Sequence, residues 1–102
     1  GAFEEGMVNL RKQNLVEAIL DFSDSGKSVL GICLGMQLLL SVSYEDGKHS
    51  GLNLIKGEVV PLKKTSDIKI PNIGWNELIK NSSSGYDDML LHGISKDSYM
   101  YF

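Results

Sequence analysis

At 102 residues, with 42% hydrophobic and 23% charged residues and a net charge of −3, the chain has the make-up of an ordinary globular protein with room for one modest core. No lysine- or arginine-rich stripe argues for nucleic acid, Lys63-Lys64 being the nearest thing to one, and no apolar run approaches the ~20 residues of a membrane span or forms a signal-peptide pattern. One cysteine excludes an internal disulfide, and a reactive thiol suits a reducing compartment, so the expected location is the cytoplasm.

Along the chain, Val8, Leu15, Ile19 and Phe22 recur at helical spacing with Arg11, Lys12, Glu17 and Asp21 between them, which predicts one amphipathic helix over residues 7–22. Asp24-Ser25-Gly26-Lys27 supplies a stop and a turn, and residues 28–33 then read as a short buried strand of the kind found in parallel sheets covered on both faces. A second helix follows Cys33. Residues 41–51 are polar and read as a helix end and surface loop around Glu45-Asp46-Gly47-Lys48. Residues 52–62 hold Leu54-Ile55 and Val59-Val60, split by Lys56-Gly57-Glu58 and closed by Pro61, and predict one or two short strands.

Residues 68–70 and 77–79 flank a loop-like insert, Pro71-Asn72-Ile73-Gly74-Trp75-Asn76, whose Pro and Gly fix unusual backbone. A solvated connection follows at 81–85, one helical turn at 87–91 and a strand at 99–102. The order helix, turn, strand, sharp turn, helix is that of an α/β fold. No repeat and no clear linker divides the chain, so a single domain over residues 1–102 is expected. The opening without methionine and the close on an aromatic, strand-like run predict an internal piece of a longer domain.

The chemistry concentrates at Leu30-Gly31-Ile32-Cys33-Leu34-Gly35-Met36-Gln37. A side chain presented at the tip of a strand-to-helix turn has neighbours at i−2 and i+2 that nearly collide with adjacent backbone, so both positions favour glycine. Gly31 and Gly35 meet that demand, and Cys33 stands where a nucleophile elbow carries its reactive atom. The helix beginning after Cys33 would favour a thiolate there, and the Leu34 N–H would face an oxyanion formed on an attacked carbonyl. The plain alternative is an inert, buried cysteine acting as a small hydrophobe; the paired glycines argue against it.

The elbow and the insert together resemble the class I (triad-type) glutamine amidotransferases. Gly31-Ile32-Cys33-Leu34-Gly35-Met36-Gln37-Leu38 resembles their nucleophile motif, and Gly74-Trp75-Asn76, 41 residues after Cys33, narrows the likeness to glutaminase subunits that feed a cyclase of histidine biosynthesis. Gly1-Ala2-Phe3-Glu4-Glu5-Gly6-Met7 and Ser98-Tyr99-Met100-Tyr101-Phe102 resemble the same branch, so the likeness runs the full length.

The resemblance implies a three-layer, flavodoxin-like α/β domain, present here in part, that hydrolyses glutamine to glutamate and ammonia through a thioester on Cys33. The ammonia would pass to a (β/α)₈ cyclase subunit that makes imidazole glycerol phosphate. No metal and no organic cofactor is implied, nor any nucleic-acid or membrane partner. By position, Leu34 would supply one oxyanion donor and Gly1, matching the last glycine of the family's Pro-Gly-Val-Gly loop, the other. Gly35 and Gln37 would contact the substrate, and Glu45, twelve residues after Cys33, would meet its α-amino group; a solvated helix-end carboxylate is the simpler account of Glu45. Trp75, Asn76 and Tyr101 would dock the cyclase, although a lone tryptophan is also a common core residue. The family commonly has His where Asn72 stands.

A cysteine amidotransferase also needs an imidazole base and an acid to orient it. The only histidines are His49, in a polar stretch, and His92, in Leu90-Leu91-His92-Gly93, and both read as surface or capping residues. In the family the base follows just after the Tyr-x-Tyr-Phe strand, beyond Phe102, and the N-terminal strands precede Gly1. The 102-residue piece by itself is therefore expected to be inactive, poorly stable and prone to associate. Three rivals stay open: a related glutaminase subunit for surface-sugar amidation, a non-catalytic docking module, and an α/β-hydrolase with a cysteine nucleophile, which gives no reason for Gln37 or Gly74-Trp75-Asn76.

Overall fold

A computed structural model describes residues 2–63, 70–71, 73–79, 90–95 and 97–101. The chain forms two compact units, Gly1–Pro61 and Leu62–Phe102. The helical turn expected at 87–91 and the connection at 81–85 lie largely outside the described residues, as do Gly1 and Asn72.

The first unit opens with α1 (Ala2–Lys12), five residues earlier than the periodicity at 7–22 suggests. Phe3, Met7 and Leu10 make an i, i+4, i+7 stripe, and Glu4 and Glu5 in the first turn, with Arg11 and Lys12 in the last, complement the helix dipole. The single helix expected over 7–22 is in fact two. Asn14 sits at φ 56°, ψ 31° in the left-handed region, and α2 (Leu15–Asp24) starts after it. Asn is one of the few side chains that adopts this conformation readily, and the Gln13 and Asn14 N–H groups close α1 on Asn9 and Arg11 carbonyls at 3.1 Å. At the far end of α2, Gly26 at φ 80° makes the expected stop.

The buried strand expected over 28–33 is not formed. Residues 28–32 belong to no ladder and Cys33 is a turn residue, and Leu30 (69% exposed) and Ile32 (75%) face solvent. A parallel strand exists only by pairing with neighbours, and among the described residues no strand lies beside this one. The next helix, α3 (Leu34–Leu39), is six residues long and passes directly into β1 (Leu40–Ser43). Residues 41–43 are thus strand where a helix end was expected.

β1 pairs antiparallel with β2 (His49–Ser50), Val42 opposite Ser50 and Ser43 opposite His49, so Glu45-Asp46-Gly47-Lys48 is a hairpin turn. On its other edge β1 pairs parallel with β3 (Ile55–Val59), giving the order β2-β1-β3. The register slips between Leu40↔Ile55 and Val42↔Glu58, and Gly57, at φ 155°, takes up the extra residue as a bulge. The two halves expected around Lys56-Gly57-Glu58 are therefore one strand.

The core of this unit is Phe3, Met7, Leu38, Leu39 and Leu52, with Leu10, Val16, Ile19, Leu34, Leu54 and Val59 packed against it. α1 crosses α3 closely at Gly6, where an added Cβ would lie 3.2 Å from Leu38 Cδ1 and 3.3 Å from Leu34 Cδ2. Gly51, directly after β2, also needs a bare Cα, since a Cβ there would overlap the Leu40 carbonyl oxygen. Among the described residues, no helix is long and apolar enough to cross a membrane.

In the second unit, β4 (Trp75–Glu77) and β5 (Tyr99–Tyr101) form an antiparallel pair. Of the strand expected at 99–102, residues 99–101 form β5 and Phe102 lies outside the described residues, whereas Trp75 and Asn76, expected in a loop, are strand residues. Strand residues Trp75, Tyr99 and Tyr101 satisfy the pleat while leaving their side chains 59–71% exposed.

Candidate active site

The elbow is a tight turn with a strained cysteine at its tip. Cys33 has φ 53° and ψ −118°, and the Gly35 N–H donates to the Ile32 carbonyl at 2.9 Å, so residues 32–35 form a type II′ turn with Cys33 at the first central position. That position is normally glycine's, and holding a side chain there costs about 1–3 kcal/mol. Cys33 is exposed and unpaired in any disulfide. Its carbonyl accepts the Gln37 N–H at 3.2 Å, which starts α3 on the residue after the thiol. Among the described residues, no backbone hydrogen bond of the turn uses the Leu34 N–H.

The two glycines differ. A Cβ at Gly31 would lie 2.7 Å from the Met36 nitrogen and 2.8 Å from the Gly35 carbonyl carbon and oxygen, so the turn closes only over a bare Cα. At Gly35 an added Cβ would meet nothing within 4 Å, which corrects the steric expectation for that position. The reason is a hollow of about 200 Å³ that both glycines border, walled by apolar side chains such as Leu10, Leu30 and Leu52. Its lining suits hydrocarbon rather than an amino-acid substrate.

Gln37 is half-buried one turn along α3 from Cys33. Glu45 stands elsewhere, in the hairpin turn, where one carboxylate oxygen accepts the Phe3 N–H at 3.0 Å. The Glu45 N–H in turn donates to the Ser43 hydroxyl at 3.1 Å, and Ser43 is fully buried. His49 is in β2 rather than a loop, its Nδ1 3.8 Å from the Glu4 carboxylate and its Nε2 3.5 Å from the Asp46 carbonyl. These ties join residues up to 42 positions apart, and no local pattern announces them. His92 is an exposed turn residue, between Leu91, whose carbonyl accepts the Ile94 N–H at 3.0 Å, and Gly93 at φ 81°.

In the second unit Trp75 and Tyr101 are cross-strand partners whose rings meet edge to face, centroids 5.6 Å apart at 71°. Trp75 is 71% exposed and Tyr101 62%. Asn76 points the other way, its amide donating to the Gly74 carbonyl at 3.1 Å. The expected docking trio thus divides: the two rings share a face and Asn76 buttresses the turn behind it.

Residues 4–101 match the family model described as "Glutamine amidotransferase class-I". The chain is 45% identical to an imidazole glycerol phosphate synthase subunit HisH from Wolinella succinogenes over 105 residues, covering 100% of this chain and 49% of that protein. It is 49% identical to a subunit HisH 1 from Legionella pneumophila, covering 100% and 50%, and 45% identical to a HisH from Aquifex aeolicus, covering 100% and 46%. The chain therefore spans about half the length of the curated relatives it matches.

Proposed function

Because this chain belongs to the class I glutamine amidotransferase family, we propose that the full-length protein is a glutaminase subunit that hydrolyses glutamine and hands the ammonia to a (β/α)₈ cyclase in histidine biosynthesis. The observation that carries this is the exposed Cys33 at φ 53°, ψ −118° in the 32–35 turn. Folding stability gains nothing from a cysteine there, whereas an attacking group needs that exposure.

The thiolate of Cys33 attacks the side-chain carboxamide carbon, forming a C–S bond, and the carbonyl electrons move onto oxygen. The Leu34 N–H, facing the turn, receives that oxyanion, with Gly1 as the second donor. Collapse breaks the C–N bond and releases ammonia, whose third proton is the one that the imidazole the family places after Phe102 has taken from the Cys33 thiol. Water then cleaves the γ-glutamyl thioester to glutamate and returns the thiol. In this reading Gly35 and Gln37, next to Cys33 on α3, contact the substrate. His49 is engaged with Glu4 and Asp46 instead, in keeping with a base outside this chain. The exposed Trp75–Tyr101 pair supports docking of the cyclase, since aromatic rings dominate such contacts, and the reactive thiol suits the cytoplasm.

The test is glutamine hydrolysis by the full-length protein with its barrel partner, alongside Cys33→Ser and labelling by a glutamine-analogue chloroketone. Turnover and stoichiometric labelling, both lost in Cys33→Ser, are expected. Turnover that survives Cys33→Ser, or a wild-type protein that is neither active nor labelled, would overturn the reading.

A further inference from the structure

Resting on the glutaminase reading above, and on the contact with the substrate's α-amino group that the family resemblance gives Glu45, we infer that Ser43 is a positioning residue. Its hydroxyl fixes the turn that presents the Glu45 carboxylate to the substrate. Ser43 is the last residue of β1, paired on one side with His49 of β2 and on the other with Val59 of β3. It is wholly buried, and among the described residues it is the one polar residue that is. A place enclosed by two ladders suits valine or isoleucine, and a hydroxyl taken there costs stability unless it is hydrogen-bonded. The bond it makes runs forward along the chain. The Glu45 N–H donates to the Ser43 hydroxyl at 3.1 Å, the two-residue reach by which a serine side chain shapes a turn.

The neighbouring backbone shows what this bond controls. The Tyr44 N–H donates to the Val59 carbonyl at 3.0 Å, so β3 still holds the chain at that residue. Asp46 then enters the left-handed region at φ 51°, with Gly47 at φ 133°, and the chain reverses directly after Glu45. Glu45 is thus the residue between ladder and reversal, and a side chain ties its N–H. Its carboxylate accepts the Phe3 N–H at 3.0 Å; a carboxylate has about four acceptor sites, so that bond and one from an ammonium group are compatible. Without the Ser43 oxygen the Glu45 N–H loses this partner, and the turn shifts to find another, carrying the carboxylate with it. An ammonium contact made equally in the bound substrate and in the transition state governs KM rather than kcat.

In the full-length protein with its partner barrel, Ser43→Ala should raise KM for glutamine about 5- to 10-fold while kcat stays within about threefold. Alanine is close to serine in size and leaves both ladder pairings in place. Ser43→Thr keeps the oxygen and should raise KM by no more than about threefold. The distinguishing measurement is a double-mutant cycle: once Glu45→Ala has raised KM, adding Ser43→Ala should change it by less than about twofold. The Glu45 amide should also exchange its hydrogen at least about tenfold faster in Ser43→Ala than in the wild type. An unchanged KM in Ser43→Ala, a fall in kcat with KM held, or the same rise in KM with and without the Glu45 carboxylate would overturn the inference, since Ser43 would then serve the fold alone. Unchanged exchange at Glu45 would overturn it equally. A wild-type protein without Cys33-dependent turnover would sink the glutaminase reading and this inference with it, whereas normal turnover with an additive cycle would remove the role of Ser43 alone.

Discussion

Replacing Gly31 by alanine puts one methyl group where the elbow has backbone. The new Cβ would sit 2.7 Å from the Met36 nitrogen and 2.8 Å from the Gly35 carbonyl atoms, about 0.7 Å inside ordinary van der Waals separation. No side chain can swing aside, because all three atoms are main chain of the first turn of α3. Overpacking of this kind costs about 1–3 kcal/mol, and the reduced freedom of the unfolded chain returns about 0.4–1 kcal/mol. A net loss of about 1–2 kcal/mol is expected. For a protein about twice this length, that lowers the melting temperature by about 2–4 °C per kcal/mol, followed by far-UV circular dichroism. The displaced turn should also slow glutamine turnover and alkylation of Cys33 by iodoacetamide, turnover by roughly 100-fold if α3 retreats by the better part of an ångström. Gly35→Ala is the internal control: its Cβ meets nothing within 4 Å, and alanine gains up to about 1 kcal/mol of helix propensity. If Gly31→Ala melted with the wild type, or Gly35→Ala lost as much stability as Gly31→Ala, the steric account of the elbow would be wrong.

Cys33→Gly should remove all glutaminase activity yet raise stability by about 1 kcal/mol, the relief of strain exceeding glycine's added entropy cost; a lower melting temperature would show that Cys33 is not strained. Trp75→Ala, which removes the larger ring of an exposed cross-strand pair, should weaken binding of the barrel by at least about 2 kcal/mol, or roughly 30-fold, with Cys33 alkylation unchanged. Titration calorimetry returning the wild-type affinity would take the docking role away from that face.

The elbow was legible because its demands are local: a cysteine two residues from each of two glycines states its sterics within one turn, and Gly31 bears this out. The strand at 99–101 was likewise plain from its aromatic alternation. Elements that depend on partners were harder to read. Residues 28–32 are apolar enough for a buried strand, but apolarity supplies no neighbour to pair with. Leu38-Leu39-Leu40 is a short apolar run that fits helix or strand equally, and the change from α3 to β1 falls inside it. The break between α1 and α2 had a sign in the polar Arg11-Lys12-Gln13-Asn14, yet Asn14 interrupts a periodicity that continues on both sides of it. Glu45 shows the limit most clearly. Its bond to the Phe3 N–H joins positions 42 apart, and only the folded hairpin brings them together.

Trp75 is the sole tryptophan of this chain, and it lies in the unit running from Leu62 to Phe102, whereas α1, α2 and α3 lie in the other. Indole emission is therefore blind to the melting of α1, α2 and α3, while helical ellipticity is nearly blind to the β4–β5 pair. Recorded together on this chain, the two spectra would reveal whether its halves come apart as one cooperative body or in succession. With the indole so open to water, a blue shift on adding the barrel would serve as a label-free gauge of assembly.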